Sequence, residues 1–141
     1  MSEESPKVTV RHLAGDRLRI EVRGHLLFSD QPEEDGGDDT APTPTELFSA
    51  SLAACVAYYA ERFLRRNDLS PEGLAVAAEF DWAGSPHRVG AIRLMVDAPG
   101  LTHEREEAFR RVIDHCTIHN TLRQPPEVEL SLRTPAAAGA G

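Results

Sequence analysis

No apolar stretch in this sequence approaches the ~18–20 residues that a membrane-spanning helix requires, so no membrane anchor is expected. Positive charge is scarce. The 15 Lys and Arg stand against 23 Asp and Glu, for a formal net charge of −8. A protein that grips a phosphate backbone or an anionic lipid surface needs clustered cations, so neither nucleic acid nor membrane is an expected partner. The opening "MSEESPKVTV" lacks a basic segment running into an apolar one, so no secretory leader is expected and a cytoplasmic location follows. Also missing are a phosphate-cradling glycine motif, a nucleophilic serine elbow and a dinucleotide fingerprint, and no cofactor is expected. Cysteine is nearly absent too, with two in 141 residues. A chain of this size buries roughly two thirds of its unfolded surface without staples. In a reducing compartment its thiols are free, catalytic or metal-bound rather than structural.

What is present reads as one α+β domain over residues 1–134, with "TPAAAGAG" ending in a disordered tail over 135–141. "KVTVRHL" (7–13) and "RLRIEVRG" (17–24) alternate apolar and polar residues about a short turn, and "GHLLFSD" (24–30) reads as a third strand. Residues 31–42 are acidic and rich in Gly and Pro, hence a loop. A long helix follows. Thr43 is its N-cap, Pro44 suits the first helical position, and Glu46 completes a capping box. Phe48, Leu52, Cys55, Tyr59 and Phe63 recur at steps of three and four and form its apolar stripe. Two strands (74–82 and 88–98), a second helix over 102–116 and a closing strand over 125–133 complete the order. Trp82, with Phe80 beside it, reads as core or interface.

The two cysteines lie on the two helices, and packing those helices together is what allows the sulfurs to meet. The thiolate is the nucleophile, and an ordinary thiol with a pKa near ~8.5 is mostly protonated at neutral pH. Cys55 is mid-helix and needs a cationic neighbour. The early hairpin offers Arg17, Arg19 and Arg23 on one strand face, and alternation alone does not choose among them. Cys116, read as the end of a helix, sits where the dipole disfavours a thiolate, which suits it to attack an already oxidised sulfur. The competing reading of Cys55 is a small buried hydrophobe. His115 and His119 flank Cys116, but adjacent residues on a helix point apart and no Cys-x-x-Cys is present, so no metal site is expected. His119 reads either as a polar turn residue or as a group that hydrogen-bonds near the thiols.

"PTPTELFSASLAAC", the "DQP…GGDD" loop before it, and "HCTIHNTL" with "PPEV" sixty-one positions on together resemble the OsmC/Ohr family of thiol-dependent hydroperoxide reductases. The resemblance implies antiparallel sheets wrapped around two central helices in an intertwined homodimer, with active sites at the subunit interface. It implies that Cys55 attacks an organic hydroperoxide, that Cys116 closes an intramolecular disulfide, and that a dithiol reductant, such as a lipoylated protein, reopens it. Arg17, then Arg19, stands nearest the position of the thiolate-stabilising arginine. Separately from the resemblance, the apolar surroundings of Cys55 (Phe48, Leu52 and Tyr59) are expected to favour organic hydroperoxides, with His119 a further expected substrate-side residue. Two positions depart from the family pattern. Thr45 replaces a Glu ten positions before the reactive cysteine, and Thr117 replaces the Pro that usually follows the second. In this the chain resembles the less-studied branch of the family. The alternative is a non-enzymatic small-molecule-binding or structural dimer of the same fold with inert thiols.

Overall fold

A computed structural model of the chain describes residues 7–135, so the expected tail lies outside the described residues from position 136 onward. Strands β1 (Val8–Ala14), β2 (Arg17–Val22) and β3 (His25–Ser29) form an antiparallel sheet in that order. Arg23 and Gly24, at φ 50° and 80°, make the two-residue turn between β2 and β3. Positive φ at both central positions matches the right-handed twist of the strands they join.

Helix α1 (Pro44–Arg66) starts where its cap predicts. Glu46 N donates to Thr43 Oγ1 at 3.1 Å and Thr43 N donates to Glu46 Oε1 at 2.8 Å. Two N–H groups that the first turn leaves without helical partners are thereby satisfied. Strands β4 (Ala75–Ala83) and β5 (Arg88–Asp97) form a second antiparallel sheet. Helices α2 (Glu106–Asp114) and α3 (Thr117–Arg123) follow. Among the described residues no helix is long and apolar enough to cross a membrane.

The core lies between α1, the β4–β5 sheet, α2 and α3. Leu52, Val56, Ala60 and Leu64 are the buried line of α1, with Phe109 of α2 and Cys116 opposite. This line sits one position beyond the expected stripe for most of its length. Leu52 is shared, whereas Cys55, Tyr59 and Phe63 are flanking and half-buried, and Phe48 is exposed. The offset arises because α1 meets a sheet on one side and two helices on another, so the buried edge follows the seam between them.

Three other expectations change. The helix read over 102–116 is a single 3-10 turn (His103–Arg105) and then α2, which stops at Asp114. A separate helix, α3, begins after Cys116. The closing strand is unpaired: residues 125–135 have no regular structure, and Val128, Leu130 and Leu132 are 83–88% exposed. Trp82 is not core within this chain. It is 53% exposed, stacked on His87 with ring centroids 4.4 Å apart. The first sheet lies outside the core as well, and Val8, Val10, Leu26, Leu27 and Phe28 are exposed.

Candidate functional site

Cys55 projects from the start of the fourth turn of α1, on the flank of the buried line. Cys116 sits in the break between α2 and α3, with extended backbone (φ −66°, ψ 155°), and is the N-cap of α3. Its Sγ accepts a hydrogen bond from His119 N at 3.4 Å. Sulfur is an unusual cap, since the preferred residues are Ser, Thr, Asp and Asn. No standard start signal therefore marks α3 in the sequence, and the helix was missed there.

Cys116 is fully buried against Leu52 and Val56, and Cys55, Tyr59, Ile113 and Ile118 pack on the same cluster. Both thiols are free. Burial pushes the Cys116 thiol above its ordinary value, the His119 N–H pulls it the other way, and the neighbouring Cys55 thiol adds to the rise. Desolvation disfavours a charged sulfur, so Cys116 is held as a neutral thiol. Its protonation follows mainly from burial and not from the expected position at a helix end, since Cys116 caps the start of α3.

Next to the pair, Tyr59 Oη and Thr117 Oγ1 share a hydrogen bond of 2.8 Å. Tyr59 is one helical turn beyond Cys55, and Thr117 directly follows Cys116. In the sequence Tyr59 carries only an apolar signal, and nothing marks the Thr117 hydroxyl. No local signal links two positions fifty-eight residues apart.

His119 lies on α3, half-buried, with Nδ1 3.7 Å from Asp114 Oδ1. Asp114 also accepts from Arg123 at 2.9 Å. His119, Val56, Leu94, Val96 and Ile113 help line an open groove of about 680 Å³ beside the thiols, although neither sulfur lines it.

Arg17 and Arg19 occupy β2, and Arg23 lies in the turn that follows it. Arg17 stands 4.0 Å from Asp38 of the acidic loop, and its Nε is shielded from solvent without a hydrogen-bond partner among the described residues. Arg19 is half-buried. Neither forms a hydrogen bond or ion pair with Cys55 among the described residues. Thr45 is half-buried, and Glu46 is engaged in its cap.

The loop from 31 to 42 is closed by a carboxylate. Asp30 is fully buried by surface area. It accepts from Thr40 Oγ1 at 2.7 Å, Thr40 N at 2.9 Å and Gln31 N at 2.8 Å. These bonds, led by that from the Thr40 hydroxyl, lower its pKa to about 2. Ser29 Oγ donates to Pro42 O at 2.9 Å and pins the same base. Where β3 hands over to α1, the chain is thus tied on both sides of the loop.

The OsmC-like protein family model matches residues 36–131, from inside this loop through α3 and into the extended segment beyond it. The chain belongs to the OsmC-like protein family. Solved structures share the OsmC-like fold at low sequence identity. An osmotic stress induced and detoxification response protein from Psychrobacter arcticus 273-4 superposes with a TM-score of 0.74 at 19% identity, covering 86% of this chain and 89% of that one. An organic hydroperoxide resistance protein OsmC from Legionella pneumophila gives 0.65 at 22%, covering 87% and 92%. An organic hydroperoxide resistance protein from Vibrio cholerae, with captopril bound in one of its active sites, gives 0.65 at 22%, covering 89% of each chain. A search of curated proteins gives no match. The mixed α+β architecture with two antiparallel sheets agrees with these OsmC-like folds.

Proposed function

We propose that this OsmC-like chain is a two-cysteine peroxidase that reduces organic hydroperoxides to alcohols in the cytoplasm. The observation that carries the reading is the meeting of Cys55 and Cys116 in one core cluster, from segments sixty-one positions apart. Cys55 is the more accessible thiol and is the attacking sulfur. Its thiolate attacks the distal oxygen of ROOH and forms an S–O bond. The O–O bond breaks, the alkoxide takes a proton and leaves as ROH, and Cys55 becomes a sulfenic acid. The Cys116 thiol then forms the S–S bond, with loss of water. A dithiol reductant, such as a lipoylated protein, restores both thiols by exchange.

Cys116, held neutral by burial, suits the second step and not the first. Arg17 is our first assignment for the cation that ionises Cys55, ahead of Arg19, because its shielded Nε makes no hydrogen bond among the described residues and meets Asp38 only at 4.0 Å. Leu52, Tyr59 and Phe48 supply an apolar approach that favours a carbon-bearing peroxide. His119, on the groove wall, is assigned to the substrate side.

The working unit is a homodimer. Support comes from the uncovered apolar residues of the first sheet and from the alternating Val128, Leu130 and Leu132, a strand pattern without a ladder. The names of the Legionella and Vibrio proteins support the choice of substrate class. The test is consumption of cumene hydroperoxide with a dithiol reductant. Cys55→Ser should abolish turnover, and a Cys55→Ser protein working at the parental rate removes the assignment.

One feature favours a second reading, a non-enzymatic binding dimer: the apolar groove that no thiol lines. Under that reading Cys55 alkylates slowly, and only in denaturant. Under ours it alkylates readily in the folded protein.

A further inference from the structure

We infer that Tyr59 and Thr117 are positioning residues, whose shared hydrogen bond sets the approach of Cys116 to Cys55 during disulfide closure. This rests on the reading of the two cysteines as a disulfide-forming pair. The hydroxyl contact of 2.8 Å joins the residue one turn after Cys55 to the residue directly after Cys116. Apart from the contact between the two thiols themselves, it is the side-chain hydrogen bond that joins α1 to the α2–α3 segment among the described residues. Everything else between them is apolar packing, which is non-directional and leaves the sliding of one element along the other weakly determined. Packing alone brings the sulfurs together, whereas a hydrogen bond has a preferred direction and length.

The sequence makes this contact available. A proline at position 117, the residue usual in the family, has no hydroxyl to offer. Thr117 is at the first position of α3, where the chain has just turned through the Cys116 cap. A restraint there acts on the cysteine's own backbone. Tyr59 and Cys55 share one side of α1 because positions four apart stand one above the other on a helix. The bridge therefore spans the two backbones that must hold still while one sulfur attacks the other. Thr117 is exposed in this chain, so the hydroxyl can be removed without opening the core.

The experiment measures the equilibrium between dithiol and Cys55–Cys116 disulfide in a buffer of reduced and oxidised glutathione. Oxidised glutathione accepts the two electrons and leaves as two thiols. The readout is the effective concentration of one cysteine toward the other. Thr117→Val should lower it roughly three- to tenfold, the range expected for one hydrogen bond. Tyr59→Phe should do the same, and the double variant should lose no more than either single one, because the two act as a unit. Thr117→Ser, which keeps the hydroxyl, should restore the parental value. Alkylation of Cys55 by iodoacetamide should be unchanged in Thr117→Val and Thr117→Ser. Parental closure in Thr117→Val, or failure of Thr117→Ser to rescue, overturns the inference. So does an additive double variant. If Tyr59→Phe does not fold, the Thr117 pair of variants decides alone. A parent that closes the disulfide but consumes no cumene hydroperoxide removes the peroxidase reading and leaves this one standing.

Discussion

Replacing Cys116 with alanine should flatten the loss of stability at alkaline pH. The folded protein holds this thiol above its ordinary value of 9.0, chiefly through burial. In the unfolded chain it titrates normally. The stabilisation from keeping it neutral is therefore complete below that ordinary value, and it declines as pH rises, because the unfolded thiol ionises while the folded one does not. From about pH 8 to about pH 10, ionisation of a thiol titrating at 9.0 lowers the unfolded state by up to about 1.4 kcal/mol. The parent should lose that amount more than Cys116→Ala over the interval. At neutral pH the variant should start about 1–2 kcal/mol lower, having lost the sulfur cap on His119 N and some packing. Urea denaturation with a reducing agent, at one protein concentration, measures both numbers. Equal alkaline losses in parent and variant would show that Cys116 is not desolvated, and the division of roles between the thiols would go with it.

Other outcomes test the remaining parts of the structure. Asp30→Asn should reduce stability near neutral pH and make the acid limb shallower. The lowered carboxylate stabilises the fold fully above about 3.8, and that contribution is lost as pH falls through about 2; circular dichroism across that window detects it, and superimposable acid curves refute the loop lock. Gly37→Ala should cost about 1–3 kcal/mol, because the added methyl would meet the Gln31 carbonyl oxygen, whereas Gly84→Ala, with nothing within 4 Å, should melt within a degree or two of the parent. Leu130→Glu places a charge on an exposed position of the unpaired strand. If that strand docks on a second copy, sedimentation should shift from dimer toward monomer, and an unchanged dimer argues against that placement.

The parts of the fold visible in the sequence are those whose signals are local. Thr43, Pro44 and Glu46 state the start of α1 within four residues, and the capping box forms as read. Alternation along 17–22 and 88–97 marks β2 and β5 because each strand carries its own period. The failures share a cause, which is dependence on distant partners. Residues 127–132 alternate like a strand, but a strand needs a neighbour and the described residues provide none. The break at His115 and Cys116 is set by a sulfur cap and by packing against α1, neither of which has a sequence signature. The expected stripe missed Val56, Ala60 and Leu64 because the seam among three neighbours, not the largest side chains, decides which line is buried. At the candidate site both cysteines were legible and the Tyr59–Thr117 contact was not. Asp30 passed as an ordinary loop acid, since its partner Thr40 is ten positions away.

The tie at Asp30 and Ser29 reaches further than the loop it closes. Cys55 lies twelve residues beyond the Thr43 cap, a lever of about 18 Å along the helix. Tilting that lever by about 5° at its base carries its far end roughly 1.6 Å sideways. Displacements near 1 Å at a reacting atom can slow a step by about a hundredfold. On the proposed reading of Cys55 as the attacking sulfur, its aim is governed partly by a carboxylate that never approaches it, and a change in the acidic stretch should be felt first as misdirection of the thiol.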